Sequence, residues 1–564
     1  MIKERFIDLF AQSFKANWDL PAMTDYGQDN TMSYGELAAR IARMHILLEQ
    51  TGIKQHDKVA LVGLNNSNWC ITYIATVTYG AVIVPILQDF HPDSIANITD
   101  HSESRILFAS DKIWANLDVA KMPNLEAAFS LTDFHTIYVK EQDGKPVVDK
   151  IGLLADKIDE LFNAKYPNGY RKDDIQYADN SNEDVASINY TSGTTGSSKG
   201  VVTPGNALAG NITYAFTTGL LPRECNVISF LPLAHAYGCA FEFLTAICAG
   251  AHIYLLGRAP SPTVLFKAFK EVRPYSIFMV PLLMEKAYKQ MILPQISKAP
   301  LKYLIKIPGI KQVIYKKICQ KLVDTFGGNF VEIILGGAPL NAECEDFLKK
   351  IKFPFSVGYG MTECAPLISK TPVDQYVQSS VGQILPIMDV KIMPVPGVEE
   401  PGVGEILVRG ENVMLGYYKN EEATKATFTE DGWLKTGDLG KLDEKRNIFI
   451  KGRNKTMLLG PNGQNIYPEE IEAKLNNMDY VAESLVIQKE QKLVALVYPD
   501  TARAEREKLT PEQLAEKLNE VRLKVNKQIS AYEQITRIVV LEKEFEKTPK
   551  KSIKRYLYTD FEVK

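Results

Sequence analysis

The chain has 564 residues and a mass of 63.2 kDa, with 45% hydrophobic and 24% charged residues, ordinary globular usage that is enough to bury several cores. A formal net charge of -3 and a pI near 6.3 exclude a global attraction to nucleic acid or anionic lipid, so any such pull has to come from a local patch. The seven cysteines are odd in number, scattered and nowhere spaced as Cys-x-x-Cys, which predicts a reducing, cytoplasmic compartment and no structural zinc site.

In chain order, residues 1–10 mix acids and bases with apolar residues at helical spacing and lack the uncharged core of a signal peptide, so secretion is not expected. From about Tyr34 to Gly410 short apolar β-rich runs alternate with helical segments, as at Lys58-Val-Ala-Leu-Val-Gly63 and Val227-Ile-Ser-Phe-Leu231. This alternation predicts an α/β fold with helices covering the sheets. Trp69 to Leu87 is a long uncharged stretch. Thr72, Thr76, Thr78, Gly80 and Pro85 interrupt it, and it reads as a buried helix, a glycine turn and a strand rather than a membrane span.

Asp184-Val-Ala-Ser-Ile-Asn189 reads as a short buried strand that runs directly into Tyr190-Thr-Ser-Gly-Thr-Thr-Gly-Ser-Ser-Lys-Gly200. Gly193, Gly196 and Gly200 let main-chain N–H groups approach an anion. Thr191, Ser192, Thr194, Thr195, Ser197 and Ser198 add hydroxyl donors, and Lys199 adds the positive charge. A triphosphate cradle at the carboxyl end of a strand follows from this makeup. The lysine stands between Ser198 and Gly200, so this is not a Walker A loop. A flexible linker is the alternative, though linkers rarely follow an apolar strand directly and carry a lone lysine.

Further along, Leu231-Pro-Leu-Ala-His-Ala-Tyr237 contains His235, either a site residue or a satisfied core histidine. The stretch 291–323 has no acid but holds Lys298, Lys302, Lys306, Lys311, Lys316, Lys317 and Lys321 among Leu, Ile and Tyr. It is either a membrane-surface approach or a solvated basic helix face. After a strand at 331–335, Gly336-Gly-Ala-Pro-Leu340 lets a flat ligand lie on backbone, or is a plain turn. Tyr359-Gly-Met-Thr-Glu363 follows the apolar run 353–357 and offers a ring, a hydroxyl and a carboxylate. Alone, it could equally be a capped helix start.

Residues 394–404 read as a turn in a β-rich subdomain, with β pattern resuming at 404–409. Trp433-Leu-Lys-Thr-Gly-Asp-Leu439 places Asp438 either in a structural turn or where its carboxylate accepts two hydroxyls. A boundary falls near Gly452, dividing the chain into 1–452 and a compact α+β unit at 453–564. Pro468 opens one helix there. Residues 481–499 form two strands around a polar turn, and Thr510-Pro-Glu-Gln513 is a capping box opening a second helix with an apolar stripe at Leu514, Leu518, Val521, Val525 and Ile529. The tail returns as a strand at 538–541.

In this order, from Tyr190 to Arg555, the motifs resemble those of the adenylate-forming (AMP-binding) superfamily, which includes acyl-CoA synthetases, luciferases and peptide-synthetase adenylation domains. The resemblance covers nearly the whole chain and implies a large amino-terminal α/β domain with a small mobile carboxy-terminal lid. It implies that Thr191, Ser192, Gly193, Thr194, Thr195, Gly196 and Lys199 hold the phosphates of ATP, and that Gly337, Ala338 and Pro339 wall the adenine. Tyr359, with Gly360 and Met361, would stack on adenine, Thr362 would bond phosphate, and Glu363 with Thr191 would hold Mg2+. Asp438 would accept from the ribose hydroxyls, Arg453 would touch ribose, and Lys455 would be the pivot of lid rotation. Gly460 and its neighbours would line the pantetheine entrance of coenzyme A. His235 would orient the acyl substrate.

One departure stands at the carboxyl end. In Thr548-Pro-Lys-Lys-Ser-Ile-Lys-Arg555, Ser552 occupies the place of the family's catalytic lysine, and Lys551, ahead of Lys550, is the candidate to replace it. The lysine-rich insertion together with Leu-Pro-Leu-Ala-His is similar to long-chain fatty acid–CoA ligases. This likeness implies activation of a fatty acid to acyl-AMP with pyrophosphate release, then thioester formation with coenzyme A. Two alternatives stay open: an acyl-carrier-protein synthetase, and a nucleotide- or acyl-binding protein impaired in catalysis, motivated by Ser552. No nucleic-acid partner is expected, any membrane contact would be peripheral through 298–321, and chain length and oligomeric state are not written in these motifs.

Overall fold

The computed structural model describes residues 2–191, 199–258, 261–398, 400–459, 465–489, 492–530, 533–548, 552–559 and 561, with backbone alone at 302, 455, 459 and 465. Its largest sheet has eight strands in the order Gly416–Tyr417, Lys199–Pro204, Val185–Thr191, Val82–Ile86, Lys58–Val62, Ser104–Ala109, Ala127–Ser130, Thr136–Val139. The central strands run parallel, with Val59 opposite Ile83 and Ile106. They read as unbroken apolar runs because helices cover both of their faces.

Helix Ser67–Tyr79 shows why the uncharged stretch stays inside the domain. The Asn66 side chain accepts from Trp69 N at 2.7 Å to start it, and Gly80 at φ 92 ends it. Inside, the Thr72, Thr76 and Thr78 hydroxyls donate to the carbonyls of Asn68, Thr72 and Ile74, so three polar groups are buried at little cost. Among the described residues no helix is long and apolar enough to cross a membrane.

A second sheet joins Ser276–Met279, Glu332–Leu335 and Phe355–Gly360 in parallel, with Leu367–Lys370 antiparallel at its edge. A third pairs Asn226–Ser229, His252–Leu255, Pro21–Asp25 and Met32–Ser33. The antiparallel sheet Met388–Met393, Gly404–Gly410, Leu434–Leu442, Ile448–Arg453 is the β-rich subdomain expected from the turn at 394–404. Beyond it, Ile466, Ile471, Leu475, Val486, Leu493 and Leu518 belong to a separate carboxy-terminal core. Its three strands are Val481–Lys489, Lys492–Pro499 and Ile535–Val540. The capping box at Thr510 is formed, but helix Pro511–Asn526 stops before Ile529.

Candidate functional site

The two ends of the expected phosphate motif lie on paired strands. Val185–Thr191 and Lys199–Pro204 are antiparallel, with Thr191 opposite Lys199 and Tyr190 opposite Gly200. Ser187 lies opposite Ile83 of a parallel neighbour, so the hairpin opens at the carboxyl edge of the sheet. Lys199 and Gly200 therefore sit in a strand rather than in the loop. Ser192, Gly193, Thr194, Thr195 and Gly196 lie outside the described residues. The hairpin base is anchored by Tyr190, whose hydroxyl is 2.7 Å from His101 Nδ1.

Tyr417 ties this hairpin to Glu363. Strand Gly416–Tyr417 pairs along Lys199–Pro204 with Val201 opposite Tyr417, and Met414 N donates to the Glu363 carbonyl at 2.9 Å. In consequence the Lys199 ammonium lies 4.9 Å from the Tyr417 ring centroid while the Tyr417 hydroxyl donates to Glu363 Oε1 at 2.9 Å. Burial, then the Glu363 charge, pushes the Tyr417 phenol up, which keeps it a donor. The result is a cation over the ring and an anion at its hydroxyl.

This donor set suits magnesium. No group of three or more His, Cys, Asp or Glu side chains converges among the described residues, and the donors expected from the motifs are the Glu363 carboxylate and the Thr191 hydroxyl. A hard cation that keeps waters and phosphate oxygens fits such a sparse site, whereas an all-protein cage would need more ligands.

The motifs expected to hold the nucleoside come together around Asp438. The Tyr359 hydroxyl donates to Asp438 Oδ2 at 2.6 Å, and Arg453 Nε lies 3.2 Å from Asp438 Oδ1. Asp438 is opposite Arg453 in the ladder, within strand Leu434–Leu442 rather than in a turn. Register against Gly404–Gly410 shifts between Glu405, opposite Leu439, and Leu407, opposite Lys435. That bulge, with Gly437 at φ 74, is what aims the buried carboxylate at Tyr359. Burial raises the Asp438 pKa, the Arg453 charge and the Tyr359 hydroxyl lower it, and Glu363 raises it. The Glu363 and Asp438 halves of the site therefore sense each other.

Two glycines are required by geometry. Gly337 has φ +84, and a Cβ there would meet only Val280 Cγ1 at 4.0 Å, so the backbone of the Gly337, Ala338, Pro339 loop borders open space. A Cβ on Gly360 would lie 2.1 Å from the Pro366 carbonyl, the same oxygen that accepts from Met361 N at 2.9 Å. Thr362 begins a single 3-10 turn, Thr362–Cys364, not the longer helix that was the competing expectation.

His235 is half-buried and caps the short helix Ala236–Gly238, its Nδ1 accepting from Tyr237 N at 3.3 Å. Tyr237 packs its ring toward Gly336 and donates to the Ile334 carbonyl at 2.9 Å, which sets the His235 turn against the glycine loop. Two residues that motif reading missed grip the chain ahead of it. Asn65 Nδ2 donates to Leu231 O at 2.7 Å and its Oδ1 accepts from Leu233 N at 3.0 Å. Glu242 Oε2 accepts from Phe230 N and Leu231 N, both at 3.0 Å. Glu242 is fully buried and burial drives its pKa well up, against the pull of these N–H groups. A lone carboxylate inside the apolar run 239–244 was the available signal for it.

At the carboxyl end, Ser552 is exposed, and its carbonyl accepts from Thr548 N at 2.8 Å. Arg555 is tied within the same unit, Nη2 to Glu472 Oε2 at 2.7 Å and Nη1 to Val486 O at 3.1 Å. Lys550, Lys551 and Gly460 lie outside the described residues, as does the Lys455 side chain. The Lys455 backbone sits in the 3-10 turn Asn454–Thr456.

A family profile described as AMP-binding enzyme matches residues 10–418, and one described as AMP-binding enzyme C-terminal domain matches 456–562. The chain belongs to the AMP-binding enzyme family. It is 29% identical over 486 residues to the peroxisomal long chain acyl-CoA synthetase 7 of Arabidopsis thaliana, spanning 82% of this chain and 67% of that one. It is 27% identical over 502 residues to fatty acyl-CoA synthetase B of Dictyostelium discoideum, spanning 84% and 72%. In fold it is similar to ATP-bound MatB from Rhodopseudomonas palustris, with a TM-score of 0.73 at 23% identity, covering 98% of this chain and 99% of that one. It is also similar to the anthranilate CoA ligase AuaEII in complex with anthranoyl-AMP, with a TM-score of 0.76 at 18% identity, covering 98% and 96%.

Proposed function

We propose that this AMP-binding enzyme activates a long-chain fatty acid with ATP, forming an acyl-AMP and pyrophosphate, and then transfers the acyl group to coenzyme A. The observation that carries this reading is the alignment of Lys199, Tyr417 and Glu363 beside the Tyr359–Asp438–Arg453 cluster. That set suits a ligand with a polyanionic end and a hydroxyl-bearing flat end. The names of the Arabidopsis and Dictyostelium relatives support the fatty substrate. So does a shallow apolar cleft lined by Leu265, Phe266, Phe269, Met279, Leu283 and Met291, because the Met279 carbonyl accepts from Gly336 N of the glycine loop.

In the first step a carboxylate oxygen bonds to the α-phosphorus while the bond to pyrophosphate breaks and its electron pair leaves with that group. An anion must approach phosphorus ringed by negative oxygens, so positive charge held in place is the main requirement. Lys199 would supply it at the hairpin, and magnesium, when bound at Glu363 and Thr191, would neutralise further phosphate charge. Asp438 would hold the ribose hydroxyls, and His235 would orient the acyl carboxylate. In the second step the coenzyme A sulfur bonds to the acyl carbon, the carbon–oxygen bond to AMP breaks, and the thiol proton goes to solvent.

Pyrophosphate release by purified protein given ATP, magnesium and palmitate, acetate or benzoate, with and without coenzyme A, tests this. Palmitate is expected to be best, with continuous turnover only when coenzyme A is present. Maximal turnover on acetate or benzoate would contradict the long-chain reading, and intact ATP with every acid would contradict adenylation. Thioester formation on a holo-carrier protein but not on coenzyme A would favour the carrier-protein synthetase.

A further inference from the structure

Helix Pro308–Thr325 has 18 residues, yet Leu322 is the one buried among them. Its inward face, Tyr315, Ile318, Cys319, Leu322 and Val323, packs against the main core, which leaves Ile310 and Val313 as apolar side chains exposed outside that contact. Its surface is unusual in two respects. Among the described residues sixteen large hydrophobic side chains are exposed, and four of them fall between residues 303 and 313: Tyr303 and Ile307 just ahead of the helix and Ile310 and Val313 in its first turns, at 63%, 48%, 39% and 57% exposure. Around them stand the exposed Lys298, Lys306, Lys316, Lys317 and Lys321, in a chain whose net charge is -3. Residues 286–323 contain nine lysines and no acid. Among the described residues none of these lysines forms an ion pair with a carboxylate, although the chain has many surface ion pairs elsewhere, such as Lys150–Glu141 and Lys391–Asp431.

We infer that residues 298–317 form a docking surface for anionic lipid bilayers. Exposed apolar side chains set among unpaired lysines match a bilayer surface, where the first enter the headgroup and acyl boundary and the second meet lipid phosphates. An acidic protein would satisfy the lysines but not a stripe that is apolar at its centre. Contact would be peripheral, in keeping with the absence of a membrane-crossing helix among the described residues. Position adds a reason. Met291 just before the patch and Phe326 just after it both line the apolar cleft, so the element that meets lipid frames the space assigned to the acyl chain. This last point rests on the fatty-acid reading of the site, while the docking itself does not.

The test is co-sedimentation of the full chain with vesicles of phosphatidylcholine alone or with about one third phosphatidylglycerol, with no ATP or fatty acid present, so that failure of docking and failure of catalysis are read separately. Binding is expected to the anionic vesicles only, and to fall as salt is raised and the Debye length shrinks. K306E/K316E/K317E should lower the partition coefficient by at least about tenfold, from the typical contribution of each basic residue near an anionic surface. I310S/V313S should weaken it while leaving the salt dependence in place. Both variants should keep the parent's unfolding midpoint. Equal binding to neutral vesicles, or binding undiminished in both variants, would overturn the inference. So would capture by an acidic protein, or self-association through this face, without vesicle binding.

Discussion

Asp438 and Glu242 are both buried carboxyls whose pKa is raised chiefly by desolvation, but their partners differ and so do the expected effects of substitution. Asp438 faces Arg453 and the Tyr359 hydroxyl, both of which favour its charged form. D438N keeps the shape and removes the charge. Its ATP KM should rise by about ten- to a hundredfold, the range for losing one charge-assisted hydrogen bond, with the KM for fatty acid within about twofold. Glu242 accepts from the Phe230 and Leu231 N–H groups, with the Ser229 side chain beside it, so the uncharged glutamine keeps its shape and those contacts. Because the folded-state pKa is the higher one, the stability Glu242 contributes is complete below the ordinary carboxyl value of about 4.3 and is lost as pH rises through the folded value. E242Q should therefore gain on the parent between pH 5 and 7.5 in denaturant unfolding, whereas E242A, which strands two N–H donors, should cost about 2–5 kcal/mol at either pH. At the tail, K551A is expected to cut acyl-AMP formation sharply while sparing thioester formation from supplied acyl-AMP. Full adenylation rates in both K551A and K550A would remove that lysine pair from the reaction.

Among elements, the strand Gly416–Tyr417 has the largest consequence for its size, since two residues carry the ring between Lys199 and Glu363. Y417F keeps the ring under the ammonium and removes the hydroxyl. Adenylation should fall several-fold with a raised magnesium requirement, read from initial rates against free metal. In G360A the added methyl meets the Pro366 carbonyl, so the 359–363 segment must shift and both KM for ATP and the unfolding midpoint should suffer. Much of this layer was legible beforehand. Lys58–Val62 and Val82–Ile86 are buried on both faces and spell continuous apolar runs, and the capping box at Thr510 is a local signal. Other parts had no local signal. Pro21–Asp25 becomes a strand by pairing with His252–Leu255, more than 200 residues away. Asn65 gains its role from a segment 166 residues on, and Tyr417 from a hairpin that sequence spacing does not reveal. Asp438 looked like a turn residue because Gly437 does take a positive φ, but the turn is a bulge inside a strand.

At the scale of the whole molecule, two bodies with their own cores meet at a narrow seam. The carboxy-terminal core around Leu475, Leu485 and Leu496 is separate from the main one, and the chain passes between them through the strand Ile448–Arg453 and the turn Asn454–Thr456. Ties across the seam include Lys289 Nζ to the Asn476 carbonyl at 2.5 Å, and Tyr467 packs against Gly452. A seam of this kind favours rigid-body motion about a few backbone torsions. The two proposed steps would make opposite demands on the space beside Asp438, since one must let pyrophosphate leave and the other must admit a thiol. If Lys455 is the pivot, then fixing its φ with proline should separate the steps. In K455P, fatty-acid-dependent exchange between pyrophosphate and ATP should stay within a few-fold of the parent. Thioester formation from supplied acyl-AMP and coenzyme A should fall by at least about a hundredfold, a barrier increase of about 2.7 kcal/mol. Equal losses in both half-reactions would instead mean that the turn serves only to hold Arg453 beside Asp438, and the pivot would have to be sought elsewhere along residues 448–456.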